Sequence, residues 1–305
     1  MRIQIVMSLV GKLLYIFGAF LLIPFIYSII FAVTATISGL AGFLLVTNGH
    51  QSKSFSLRDG FLVVASTWLS TILLGSIPFM ISGILINPVD ALFEASSGLT
   101  ATGATVIYDV DQAPKTFILW RGLMHWIGGM GIIVLILSFL RNLGADAAHF
   151  FNAEASVPKP GVVLPRIQSM ASKLWSLYVV FTIICFIMLW LGGIDPFNAL
   201  NYAFSIIATG GLTPTTAGTF IYSDNIYICV VFILFMIIAG GNFAVYYNVI
   251  HKGFSALISD FETRMYWLVL ALGILITFIA LCIQSEATHI GKLFQDAAFV
   301  FYSNR

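Results

Sequence analysis

Residues 3–46 contain a single charged side chain, Lys12. A bilayer's hydrocarbon layer is about 30 Å thick and takes about 20 apolar residues per helical crossing, so this run is too long for one span. It breaks near Pro24 to Ser28 and reads as two helices in a tight hairpin. A cleaved secretory leader is the competing reading, but the apolar stretch far exceeds a leader's hydrophobic core, and Gly39-Leu40-Ala41 lies inside continuing apolar sequence. Further spans are expected at Phe61 to Ser82, Thr116 to Leu140, Leu174 to Leu191, Ile226 to Val249 and Met265 to Ile283, for about seven crossings. With 59% hydrophobic and 9% charged residues, a soluble domain with a polar surface is excluded. Long continuous apolar runs, instead of short alternating ones, exclude a β-barrel.

Between these spans lie apolar segments too short to cross, namely Asp90 to Leu99, Asp195 to Ile207 and the tail from Leu293 onward, which are candidates for re-entrant elements. The first two repeat each other. Laying DALFEASSGLTATGAT (from Asp90) over NALNYAFSIIATGGLT (from Asn198) at an offset of 108 gives six identities in sixteen, among them Ser97 with Ser205 and Gly103 with Gly211. An offset of 107 pairs Gly103 with Gly210 and loses the helix matches. At an offset of 206, Asp296, Ala297, Phe299 and Ser303 match Asp90, Ala91, Phe93 and Ser97 and begin a third copy.

Each short segment runs into a loop rich in Gly and Thr. Irregular backbone at membrane depth is tolerated only where it packs in protein or lines an aqueous cavity. A short helix ending near mid-membrane aims the negative end of its dipole at that cavity. The loop carbonyls can then replace the water shell of a cation. In the first loop this reading covers Thr100, Ala101, Thr102, Gly103 and Ala104, and in the second Ala208, Thr209, Gly210, Gly211 and Leu212. A plain Gly-rich turn in an outer loop is the competing reading of both.

Basic residues such as Arg2, Arg58, Arg141, Lys173 and Arg264 fall on one side of this topology, which the positive-inside rule makes cytoplasmic. Acidic residues, including Asp90, Glu94, Asp109, Asp111 and Asp195, collect on the other, where they either focus cations or are merely tolerated. Cys185, Cys229 and Cys282 lack metal-ligand spacing and read as packing residues. The five histidines are scattered, with no HExxH, GxSxG or paired-carboxylate motif, so an intramembrane hydrolase or lipid transferase is the weaker reading.

The motifs RDGFLVV (from Arg58), DALFEASSGLTATGATV, WRGLMHWIGGMGIIVL (from Trp120), ATGGLT (from Ala208) and AGGNFAVYY (from Ala239) resemble those of TrkH-type subunits of the Trk/Ktr/HKT potassium transporter family. The resemblance runs over essentially the whole chain. It implies an all-α polytopic membrane protein built from units of helix, pore helix, filter loop and helix, with one filter glycine per unit mapping to Gly103 and Gly211. It implies potassium as the transported ion with no cofactor, location in the bacterial inner membrane, a homodimer, and a cytoplasmic nucleotide-binding regulatory subunit. The chain then divides into a two-helix preamble (1–57), a first pore repeat (58–145), a cytoplasmic linker (146–165), a second repeat (166–253) and a partial third (254–305). Family members carry four filter segments, so this sequence reads as truncated within its third repeat. The alternative to potassium uptake is a nonconducting remnant or a part-subunit that needs other chains.

Other residues carry lesser expectations. Arg121 and His125 lie one turn apart, and Arg121 is expected to pair with Glu94 on the first pore helix and hold the filter's support, although Glu94 could also attract entering cations. Gly128, Gly129 and Gly131, and likewise Gly240 and Gly241, suit close helix packing better than bending for gating, and Asn242 suits a bond between helices.

Overall fold

The computed structural model describes residues 3–49, 57–142 and 163–284. The expected partial pore helix from Leu293 onward, the matches at Asp296 to Ser303, and most of the 146–165 linker lie outside those residues. Elements run in the order α1 (Ile3–Phe25), α2 (Ile30–Thr47), α3 (Leu57–Ile81), α4 (Pro88–Leu99), α5 (Lys115–Asn142), α6 (Val163–Leu191), α7 (Pro196–Ile207), a 3-10 turn (Gly218–Tyr222), α8 (Ile226–Ala239), α9 (Phe243–Lys252), α10 (Ser255–Ser259) and α11 (Phe261–Gln284). Helices α1, α2, α3, α6 and α11 contain stretches long and apolar enough to cross a membrane. At about 1.5 Å per residue, the 28 residues of α5 are also long enough to cross. The protein is an all-α polytopic membrane protein, and it divides into two compact units, Met1–Ser172 and Lys173–Arg305.

In the first unit α1 and α2 form the expected hairpin. Small residues let the two backbones touch: Gly11 and Gly42 face each other's carbonyls, and a methyl on either would come within 2.8 Å of the other helix's oxygen. The Ser38 hydroxyl crosses to the Leu14 carbonyl at 2.8 Å. Such contact is what holds helices together where lipid removes the hydrophobic drive. The hairpin then meets α5 through aromatic rings. Trp120 is fully buried, lies 5.7 Å from both Phe17 and Phe31, and donates its indole N–H to the Gly75 carbonyl at 3.1 Å.

The two short helices share one design. Each is 12 residues long, about 18 Å, and so too short to cross a hydrocarbon layer of about 30 Å. Each opens with an N-cap oxygen followed by proline, where the missing N–H and fixed φ fit the first turn. Asn87 Oδ1 accepts from Val89 N–H at 3.0 Å, and Asp195 Oδ1 accepts from Phe197 N–H at 3.0 Å. Asn87 and Asp195 are again 108 residues apart.

In the second unit the expected span Ile226 to Val249 is not one helix. It stops after Ala239, is interrupted at Gly240-Gly241-Asn242, and resumes at Phe243. Glycine and asparagine are weak helix formers, and tyrosine hydroxyls bond the carbonyls at the end of α8, where Ile238 O also accepts from Gly241 N–H at 3.2 Å. The Tyr266 hydroxyl donates to Ile237 O at 2.8 Å and the Tyr246 hydroxyl to Ile238 O at 2.9 Å. Asn242 makes the expected bond between helices, donating to Glu262 on α11 at 2.9 Å. Tyr246→Phe is therefore expected to cost about 1 kcal/mol, read as a lower thermal midpoint in detergent, and an unshifted midpoint would mean that the hydroxyl contributes nothing there. At the start of α11, Asp260 caps the helix by accepting from both the Thr263 N–H and its hydroxyl, each at 2.8 Å. These bonds hold its carboxyl below the usual carboxylate range.

Candidate functional site: two matched loops

Both short helices end in the same turn, and the loops grow out of it. After α4, Thr102 N–H reaches back to Ser97 O at 3.0 Å and Ala101 N–H to Gly98 O at 3.2 Å. After α7, Gly210 N–H reaches Ser205 O at 2.9 Å and Thr209 N–H reaches Ile206 O at 3.0 Å. This paired bonding is the Schellman helix end, which asks the residue after the cap to adopt a left-handed conformation. Glycine normally fills that place. Here it is Ala101, with φ +52°, and Thr209, with φ +53°.

Two residues further on, Gly103 has φ +82° and Gly211 has φ +106°. Both left-handed pairs stand 108 residues apart. The alternative register of 107 would set Ala101 against Ala208, which has an ordinary helical φ of −78°, so the backbone follows the 108 register. A β-branched residue such as Thr209 is an outlier at positive φ. Strain of this kind costs about 1–3 kcal/mol and persists only where the surroundings impose it.

Those surroundings can be named. The Ser97 hydroxyl donates to the Ala104 carbonyl, and the matched Ser205 hydroxyl accepts from Gly211 N–H at 3.0 Å. Glu94, five residues before the end of α4, is fully buried and pairs with the Arg121 guanidinium of α5 at 2.6 Å, as the sequence leads one to expect. The same carboxylate accepts from the Thr105 hydroxyl at 2.9 Å and from Val106 N–H at 3.0 Å. It is thus spent on the loop's outgoing segment and on Arg121, and it does not face entering cations. His125, also fully buried, donates its Nδ1–H to Gly98 O at 2.7 Å.

Three carbonyls of α4's last turn are engaged: Ser96 O by Thr100, Ser97 O by Thr102, and Gly98 O by Ala101 and His125. A cation near the helix end would meet its dipole, with further oxygen ligands offered by the loop. Thr100 and Thr102 are exposed, as are Thr209 and Gly211, whereas Ala208, Gly210 and Leu212 are buried. A cavity of about 350 Å³ lies against the second loop, lined by Tyr202, Ser205, Thr209, Gly210, Gly211 and Gly240 among others. Among the described residues no three His, Cys, Asp or Glu side chains cluster to hold a metal, so the chemistry available at the loops is that of carbonyls and hydroxyls.

One anchoring residue escaped the sequence reading. Tyr202 occupies the place of Glu94, 108 residues on, and its hydroxyl donates to Gly218 O at 2.8 Å and meets the Thr215 hydroxyl at 3.0 Å. From α8, Phe232 packs edge-on against its ring at 5.3 Å. The available signal was the register itself, which puts Tyr202 opposite Glu94. Gly128 touches the other end of the first assembly, because a methyl there would lie 1.8 Å from the Leu99 carbonyl. That contact places Gly128 in close helix packing.

The family model described as the TrkH cation transport protein matches residues 26–293. The potassium uptake protein TrkH of Halomonas elongata is 32% identical over 298 residues, which is 94% of this chain and 62% of that protein. TrkH of Escherichia coli K12 is 31% identical, over 92% of this chain and 60% of that protein. The crystal structure of the potassium transporter TrkH from Vibrio parahaemolyticus superposes with a TM-score of 0.87 at 30% identity, covering 99% of this chain and 64% of that one. The chain thus spans a little over three fifths of the length of these relatives.

Proposed function

The chain belongs to the TrkH family of cation transport proteins, and from that premise we propose that it moves potassium inward across the bacterial inner membrane through a pore lined in part by the backbone of its two loops. The carbonyls of Thr100, Ala101, Thr102, Gly103 and Ala104 and of Ala208, Thr209, Gly210, Gly211 and Leu212 make up the lining in this reading. The observation that carries it is the left-handed pair repeated 108 residues apart, at Ala101 and Gly103 and again at Thr209 and Gly211. Successive left-handed residues change the direction in which carbonyls point, and a strained loop kept in duplicate fits ion coordination better than it fits a connecting turn. Potassium is the ion in this reading because the relatives are named for its uptake.

The proposal takes residues 58–145 and 166–253 as the pore repeats, 1–57 as a preamble, 146–165 as a cytoplasmic linker and 254–305 as part of a third repeat. It also takes the working assembly as a homodimer bound to a cytoplasmic nucleotide-binding regulatory subunit, a step that rests on the family resemblance. The direct test is growth of a potassium-uptake-deficient bacterium at low potassium when it expresses these 305 residues. Rescue is the expected result, and absence of rescue with the chain confirmed in the membrane overturns uptake by this chain alone.

A sharper test addresses Gly103. Serine there must adopt φ +82°, which costs an L-residue about 1–2 kcal/mol. Gly103→Ser is therefore expected to lower the preference for potassium over sodium in rubidium and sodium tracer uptake, and an unchanged preference removes Gly103 from the pore lining.

A further inference from the structure

We propose that Glu94 and Tyr202 are equivalent positioning residues, each tying the outgoing segment of its loop to its own short helix, and that this tie sets how well the loops discriminate between monovalent cations. The inference rests on the reading of the two loops as a pore lining.

Three observations point to it. The two residues hold one place in the repeat, 108 positions apart, on the second of three turns of α4 and α7. Both are buried, Glu94 at 0% and Tyr202 at 1% exposure. Both direct their polar atoms at the chain just beyond the loop: Glu94 at Thr105 and Val106, 11 and 12 residues on, and Tyr202 at Thr215 and Gly218, 13 and 16 residues on.

The two ties start from one place in the repeat and both hold the outgoing segment, but their chemistry differs and Tyr202 reaches a few residues further along the chain than Glu94 does. In the first repeat the tie is a carboxylate that accepts from a hydroxyl and an amide, with Arg121 compensating its charge. In the second it is a neutral phenol that donates to a carbonyl, with the Phe232 and Tyr222 rings packed on it. Sharing a position while using opposite hydrogen-bond polarity is what selection on the tie itself would leave. Packing alone would not ask for a polar atom at both sites.

A loop fixed at both ends has little freedom to close around a smaller ion. Its entry is fixed by the helix-end turn and by Ser97 or Ser205, and its exit by Glu94 or Tyr202. Releasing the exit lets the carbonyls approach sodium more nearly as well as potassium. It does so without removing any ligand, so the expected signature is a loss of discrimination, with cation binding retained.

The test uses the purified chain in nanodiscs of phosphatidylethanolamine and phosphatidylglycerol, comparing the parent with Thr105→Val, Tyr202→Phe and Glu94→Gln. The first two leave the Glu94–Arg121 pair intact, so they remain informative if Glu94→Gln fails to fold. Two quantities are read: deuterium exchange at 104–106 and 213–218, and the potassium and sodium concentrations that half-maximally raise thermal stability. Exchange is expected to rise at 104–106 for Thr105→Val and Glu94→Gln and at 213–218 for Tyr202→Phe. The sodium-to-potassium midpoint ratio should fall about 3- to 10-fold, the scale of one hydrogen bond. Unchanged exchange overturns the tie. Raised exchange with an unchanged ratio overturns its link to discrimination, because a merely structural role would shift stability and leave the ratio alone. A parent chain indifferent to both cations overturns the pore-lining reading before any variant is made, and the exchange data then decide the tie independently.

Discussion

Replacing Gly128 with alanine is expected to cost at least about 3 kcal/mol, the upper range for overpacking in a fixed interior, and to lower the thermal midpoint more than alanine at either of two other glycines in the same assembly. The added carbon would sit 1.8 Å from the Leu99 carbonyl oxygen, 2.7 Å from the carbonyl carbon and 3.2 Å from the Cα. All three are backbone atoms at the end of α4, so no side chain can swing aside. Either α5 withdraws or the first loop moves with its helix. At Gly98 the same change meets the Met124 Cε at 2.9 Å and its Cβ at 3.1 Å; the thioether end can turn away but the Cβ cannot, so an intermediate loss of about 1–2 kcal/mol is expected. At Gly131 nothing among the described residues lies within 4 Å, and alanine should be neutral or stabilising by up to about 1 kcal/mol through helix propensity. Thermal midpoints of the three variants in detergent give the ranking. Equal stability of Gly128→Ala and Gly131→Ala would sink the claim that α5 is pinned to α4.

The register of the repeat was legible because it is written in side chains at fixed spacing. Asn87-Pro88 and Asp195-Pro196 open the short helices, and Ser97 with Ser205 and Gly103 with Gly211 follow at the same interval. The Glu94–Arg121 pair was legible for another reason, since two ionisable groups in lipid must find each other or stay hydrated. The break at Gly240-Gly241-Asn242 was not legible from length and hydropathy. Those count apolar content, and an interruption of three residues hardly changes it. What makes the break affordable is Tyr246 and Tyr266, 8 and 29 residues from the carbonyls they satisfy, and long-range bonds leave no local mark. Tyr202 stayed hidden because its polar atom is a single hydroxyl on a ring, and in an apolar stretch a tyrosine reads as packing.

Arg121→Met is expected to destabilise the chain by about 3–5 kcal/mol, the usual cost of leaving one member of a buried ion pair behind. Arg121 is 2% exposed and Glu94 0%, so water cannot replace the lost partner. Glu94→Gln should also be costly, since it takes the charged partner away from a buried guanidinium. The double variant removes both charges together, and its loss should fall short of the sum of the single losses by more than about 1.5 kcal/mol, a coupling expected of residues in direct contact. Chemical denaturation of the four proteins in detergent closes the cycle, and additive losses would mean that the pair is energetically idle. A coupling of this size does not make the pair a net stabiliser, because burying two charges costs about what their attraction returns. The second repeat is in keeping with this point: Tyr202, in the place of Glu94, packs against Phe232 of α8 and carries no charge. What the carboxylate adds in the first repeat is acceptor capacity, enough to hold Thr105, Val106 and Arg121 together. The double variant is therefore expected to recover much of the stability while leaving the exit of the first loop loose.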